Sequence, residues 1–273
     1  MDNLVSQDKI TDSKALENHF HALQPFIRSF LYRLTASRED AEDLAQETFT
    51  KAYEKMYTFK GDSSFKTWLF TIASNLAQDH FRAKKRWSVY AQDIGKEKCP
   101  SGKFLTDKRD RLQSEGLQAQ FEIKEHVNHC FTCITKSIKL EQQVALMLKE
   151  IYSFKIKEIS VIMSKTETAV KHLLHKARET MMDIFEDRCA LIRKQGVCYQ
   201  CSELNQIMNP RHDAEKEVLK LEMARKGQNK DADKNDLFEL RLKLVRSIDP
   251  FSSPGADLQI SLMDFMRGYI GDQ

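Results

Sequence analysis

Between Asp40 and Arg86 the chain carries an acidic stretch, DAEDLAQETFTKAYEKM, then a short Gly-containing loop, then FKTWLFTIASNLAQDHFRAKKR. In both segments apolar residues recur every three to four positions, the spacing that gathers them on one side of a helix. Ser37 offers an N-cap oxygen and Asp40 stands three residues later, where the helix dipole favours a carboxylate. Ala41, Leu44, Ala45, Thr48, Phe49, Ala52 and Met56 then form one inward stripe, which leaves Glu39, Asp40, Glu42, Asp43, Gln46 and Glu47 outside. Taken alone, such a pattern is a solvated acidic face. The second helix changes that reading. Phe65, Trp68, Leu69, Ile72, Ala73, Leu76 and His80 take its inner side, and it ends in the cations Arg82, Lys84, Lys85 and Arg86. An acidic helix beside an aromatic, C-terminally basic one offers one face to a protein partner and another to a phosphate backbone.

Position for position, DAEDLAQETFTKAY and FKGDSSFKTWLFTIASN resemble region two of bacterial sigma factors, specifically the short extracytoplasmic-function group. That resemblance implies an all-α protein whose partners are core RNA polymerase and promoter DNA. It implies that Asp40, Asp43, Gln46 and Glu47 meet the coiled coil of the clamp in the largest polymerase subunit. It further implies that the loop from Lys60 to Ser64 and the helix face at Asn75 form a pocket for a base leaving the stack in the minus ten element. Lys84, Lys85 and Arg86 would hold the adjoining strand by its phosphates. Trp68, on the apolar stripe, reads as core.

Periodicity lapses from Trp87 to about Gln120, where Gly95, Pro100, Gly102 and Gly116 interrupt a charged stretch, as in an interdomain linker. It returns over Phe121 to Ile138 and Leu140 to Tyr152, followed by a short helix from Lys155 to Met163 and a turn at Ser164, Lys165 and Thr166. Thr166 caps a last helix to about Phe185, with Val170, Leu173, Leu174, Ala177 and Met181 inward. Lys171, His172, His175, Lys176 and Arg178 are then outward. Helix, short turn and basic helix is the helix-turn-helix arrangement for the major groove. The run LEQQVALMLKEIYSFKIKEISVIMSKTETAVKHLLHKARETM resembles region four of the same sigma factors, which assigns those five residues to the minus thirty-five element. His172 and His175 stand where arginine, serine or an aromatic residue is common in the family, a departure that bears on promoter sequence, not on docking.

The rest of the chain is organised around these two regions. A first helix is expected from about Ala15 to Leu34, with a kink or a restart at Pro25. The domain reading is a flexible N-terminus over 1–14, region two over 15–90, a linker over 91–120, region four over 121–186 and a Cys-containing helical extension over 187–273. In that extension Leu237, Leu240, Leu244 and Ile248, then Leu258, Leu262, Phe265 and Tyr269, mark two amphipathic helices separated by Asp249-Pro250 and Ser253-Pro254-Gly255. The extension is either a packing element or a docking arm for an anti-sigma regulator.

Cys130 and Cys133, with Cys198 and Cys201, have the paired CxxC spacing of a structural zinc site, and four thiolates would close a tetrahedron. Buried thiols packed as small hydrophobes are the other reading, favoured by the long gap between the pairs. His126, Cys130 and Cys133 also resemble the HxxxCxxC of zinc-associated anti-sigma proteins, which suggests a sequestering role as a third function class. The formal net charge of +3 places any nucleic-acid affinity in local basic segments. No apolar run approaches the roughly 18 residues of a membrane span, and Met1 to Lys14 has no signal core, so a soluble, cytoplasmic protein without membrane insertion is expected. The chain shows no phosphate loop, GxSxG or HExxH, and no enzyme activity or required cofactor is expected. The reading is a sigma factor. The alternative is a helix-turn-helix regulator that acts without polymerase, for which the acidic helix has no use.

Overall fold

A computed structural model of the chain describes residues 13–84, 87, 90, 123–188 and 234–270. Among these, every regular element is helical: α1 Ser13–Thr35, α2 Arg38–Glu54, α3 Phe65–Ala83, α4 Ile123–Ile134, α5 Leu140–Leu146, α6 Ile156–Ile162, α7 Glu167–Arg188, α8 Lys234–Arg246 and α9 Ala256–Ile270. The expected linker over 91–120, the flexible start up to residue 12, and Lys85, Arg86, Cys198 and Cys201 lie outside the described residues. The helices divide between two compact units, Met1–Arg86 with Leu140–Lys176, and Trp87–Lys139 with Ala177–Gln273.

In the first unit α1 supplies the bed, with Leu23, Ile27, Phe30, Leu31 and Leu34 buried. Pro25 lies inside α1 and is exposed, and of the expected kink or restart there is no restart, because the helix runs through it as one element. Ser37 caps α2, its Oγ accepting from the Asp40 amide at 3.2 Å. Ser64 caps α3 in the same way, accepting from the Thr67 amide at 3.1 Å. Between them Gly61 takes φ +78°, a left-handed turn that a side chain would strain.

Helix α3 buries more than the single stripe expected of it. Besides Phe65, Leu69, Ala73 and Leu76, its Thr67, Phe70, Ser74 and Ala77 are buried. The Phe70 ring meets Phe30 at 5.2 Å, Tyr152 at 5.3 Å and Phe154 at 4.9 Å. Tyr152 and Phe154 reach one cluster because the helix after α5 loosens into a π turn, Met147–Ile151, and Ser153 then takes φ 60°. Two residues apart on a regular helix, these rings would point in different directions. Lys66 Nζ donates to the Tyr152 carbonyl at 3.1 Å, and Gln143 Nε2 to the Arg33 carbonyl at 2.8 Å. Helices α5, α6 and the first half of α7 thus pack with α1 to α3 in this unit.

The second unit is built on α4. Phe131 stacks at 6.4 Å on Phe185 of α7, and Phe185 meets Phe238 of α8 at 6.2 Å. Asn128 Nδ2 donates to Gln259 Oε1 of α9 at 2.8 Å, and the Gly255 amide donates to the buried Glu125 carboxylate at 2.7 Å. A Cβ at Gly255 would fall within 3 Å of that carboxylate, so a larger residue there would have to displace the end of the Glu125 side chain. The described helices of the C-terminal extension are thus core elements of this unit.

Candidate nucleic-acid interface

The outer face of α2 carries Glu39, Glu42, Asp43, Gln46 and Glu47, all exposed. Glu42 accepts from Arg28 at 2.8 Å, and Glu47 pairs with Lys51 one turn on at 2.8 Å. Asp40 departs from the expectation that it belongs to that exposed set. Its side chain is only 18% exposed, with Lys84 Nζ at 3.2 Å and His80 Nε2 at 3.9 Å. Burial pulls the Asp40 carboxyl upward, but the hydrogen bonds of Lys84 and Ser37 and the charges of Lys84 and His80 outweigh it and hold its pKa below the usual value. Two residues read from sequence as facing different partners, Asp40 and Lys84, are therefore partners of each other.

Asn75 is exposed on α3 and opens into a cleft of about 340 Å³ lined by Lys51, Lys55, Ile72, Asn75, Leu76, Gln78, Asp79 and Arg82. The lining combines the apolar Ile72 and Leu76 with the cations Lys51, Lys55 and Arg82, the last paired with Asp79 at 2.8 Å, and such a mix of apolar surface and cations can take a flat base with its phosphate. The end of α2, and not the loop from Lys60 to Ser64, supplies the second wall. Ser64 spends its hydroxyl on capping α3, and Lys60 is exposed on the loop. Sequence reasoning missed Lys51 and Lys55 at the cleft because only the packing of α2 on α3 brings them beside Asn75, whereas Arg82 lies two turns on from Asn75 along α3 itself. Trp68, expected in the core, is only half-buried, packed against Phe59 at 5.3 Å and Phe65 at 5.6 Å.

Helix α6 ends in a turn where Ser164 takes φ 51°, and Thr166 Oγ1 then accepts from the Ala169 amide at 3.2 Å to start α7. Val170, Leu174, Ala177 and Met181 are buried, and Lys171, His172, His175 and Lys176 are exposed together on the opposite side. Arg178 is the exception among the five. It is half-buried, and its Nη2 donates to Asn235 Oδ1 at 2.8 Å and to Glu239 Oε1 at 2.6 Å. No local pattern could reveal that pairing, because the partners lie 57 and 61 residues away.

Cys130 and Cys133 stand one turn apart on α4, the first buried and the second half-buried, and neither is in a disulfide. Two thiols at this spacing can share one ion, so they fit half of a tetrathiolate site. Among the described residues no group of three or more His, Cys, Asp and Glu side chains could hold a metal. No described helix is long and apolar enough to cross a membrane.

The family model for Sigma-70 region 2 matches residues 19–87, and that for Sigma-70, region 4 matches residues 131–181. The first covers α2, α3 and the Asn75 cleft, and the second covers the helix-turn-helix. The chain carries Sigma-70 region 2 and Sigma-70 region 4, in that order. The ECF RNA polymerase sigma factor SigG of Mycobacterium tuberculosis is 28% identical over 175 residues, 59% of this chain and 47% of the relative. The chain therefore spans about half of that relative's length. The RNA polymerase sigma-H factor of Pseudomonas aeruginosa is 27% identical over 178 residues, 65% of this chain and 90% of the relative. The ECF RNA polymerase sigma-E factor of Escherichia coli is 29% identical over 180 residues, with the same two coverages of 65% and 90%. Among solved structures, the sigma factor RpoE in complex with the anti-sigma factor NepR from Bartonella quintana matches 63% of this chain and 98% of that one, at 21% identity and a TM-score of 0.46.

Proposed function

We propose that this sigma factor docks on core RNA polymerase through the exposed face of α2, reads the upstream promoter element with α7 and holds a melted strand at the Asn75 cleft. The observation that carries the reading is the outward acidic face at Asp43, Gln46 and Glu47, on the same chain as the exposed Lys171, His172, His175 and Lys176. A regulator that only binds duplex DNA has no use for the first of these. Asp40 supports docking by anchoring Lys84 and is not itself a contact. Lys171 and His175 reach base edges, and Lys176 reaches phosphate. Asn75 can both donate to and accept from a base edge, and Lys51, Lys55 and Arg82 supply the charge that holds its phosphate.

Catalysis then belongs to the polymerase, the site of action is the cytoplasm, and initiation requires no cofactor. An anti-sigma regulator is a further partner in this reading. Cys130, Cys133, Cys198 and Cys201 are assigned to a structural zinc, which would lend rigidity and no chemistry.

The test is transcription in vitro with core polymerase and the full chain. Asp43→Lys and Glu47→Lys place cations on the docking face without removing buried groups, and each should weaken core binding at least about tenfold at low salt. Helicity should be unchanged. Unaltered core affinity in both variants, with duplex binding intact, would leave a DNA-binding regulator without polymerase docking.

A further inference from the structure

We infer that the C-terminal extension restrains promoter binding by engaging Arg178, a cation of the outward face of α7, with the carboxylate of Glu239 on α8. The inference rests on the reading of α7 as the DNA-binding helix. Lys171, His172, His175 and Lys176 are exposed on that helix, whereas the Arg178 side chain is only 23% exposed. Its Nη2 donates to Glu239 Oε1 at 2.6 Å and to Asn235 Oδ1 at 2.8 Å, and its guanidinium lies 5.2 Å from the centre of the Phe238 ring. A charged oxygen facing a guanidinium nitrogen is what a DNA phosphate would offer. Glu239 therefore occupies Arg178 in the manner of a phosphate, and the two cannot both have it.

The competitor is delivered on a packed helix. Phe238, Leu242 and Val245 are buried, the Phe238 ring meets Phe185 at 6.2 Å, and Arg241 lies over Phe185 at 4.7 Å. Phe238 thus seats α8 while its neighbour Glu239 faces the cation. Arg246 Nη2 lies 4.0 Å from Glu239 Oε2. When Arg178 turns to a phosphate, Glu239 keeps a counter-charge, so the exchange leaves no isolated carboxylate. This makes the restraint reversible by rotation of one side chain, without dislodging α8.

Duplex binding by the full chain tests this, measured by fluorescence anisotropy on a labelled duplex recovered by binding-site selection. Asn235→Ala with Glu239→Gln should bind roughly three- to tenfold more tightly than wild type, and Asn235→Ala alone should give a smaller gain. Adding Arg178→Ala to the double variant should abolish the gain, which separates release of Arg178 from the general effect of removing a negative charge. Circular dichroism should show unchanged helicity in all variants. No tightening on release, with Lys171→Ala still weakening the complex, would overturn the restraint and leave the α7 reading standing. If Lys171→Ala and Arg178→Ala leave duplex affinity untouched, α7 is not the DNA-binding helix and both readings fall.

Discussion

Asp40 sits in the first turn of α2, capped by Ser37, with Lys84 3.2 Å away and His80 at 3.9 Å. A carboxylate held there gains from the helix dipole as well as from the cations. Because its folded pKa lies below its unfolded value, the associated stability is fully present above the ordinary aspartate pKa of about 3.9 and is lost as pH falls through the lower folded value. Asp40→Asn should therefore cost about 1 kcal/mol at neutral pH, with the difference from wild type closing in acid. Urea unfolding across a pH series checks it, and a difference that stays constant into strong acid would remove the ion pair as the cause. The pairing was not legible in the sequence. The spacing of α2 sorts residues by its own axis, and Lys84 approaches from 44 residues downstream. The caps at Ser37 and Thr166 were legible because each acts on an amide three residues away, whereas Ser64, which caps α3 in the same way, was read as part of the pocket loop.

At the scale of elements, the same locality explains what could be read and what could not. The helices before and after the turn at Ser164 were readable because apolar period and caps agreed. The second buried face of α3 was not, since Thr67, Phe70, Ser74 and Ala77 look like a helix side that could equally meet solvent or a partner. The π turn was hidden for a related reason, as Met147–Ile151 continues the apolar run of α5 without any Gly or Pro to mark it. Its consequence is that Tyr152 and Phe154 close on Phe70 at 5.3 and 4.9 Å. Phe70→Ala should destabilise the first unit by about 3–5 kcal/mol, the range for emptying a buried aromatic site. Tyr152→Ala should also destabilise, and the double variant should cost less than the sum by roughly 0.5–1.5 kcal/mol, the coupling expected of an aromatic pair. Chemical denaturation of the three variants measures that coupling. Strict additivity would mean that the rings contribute burial alone.

At the scale of the whole molecule, the chain joins family modules to an extension that completes a core. Glu125 and Asn128 of α4 meet Gly255 and Gln259, and Phe131, Phe185 and Phe238 form a continuous aromatic series. The start of region four is therefore held by residues more than a hundred positions later, which no family pattern announces. Cys130 and Cys133 lie on this same α4. A zinc shared with Cys198 and Cys201 would add a second tie from α4 to the segment between α7 and α8, because four thiolates satisfy the ion's tetrahedral demand while two leave it open. Metal binding would then be part of folding for this unit. Protein purified without chelator should carry about one equivalent of zinc, and Cys130→Ser or Cys198→Ser should each lose it. Removing the metal should lower the unfolding midpoint of the second unit while the Phe70 cluster of the first keeps its stability, followed by hydrogen exchange in each. Less than roughly half an equivalent of zinc, or metal retained by both variants, would assign the cysteines to packing.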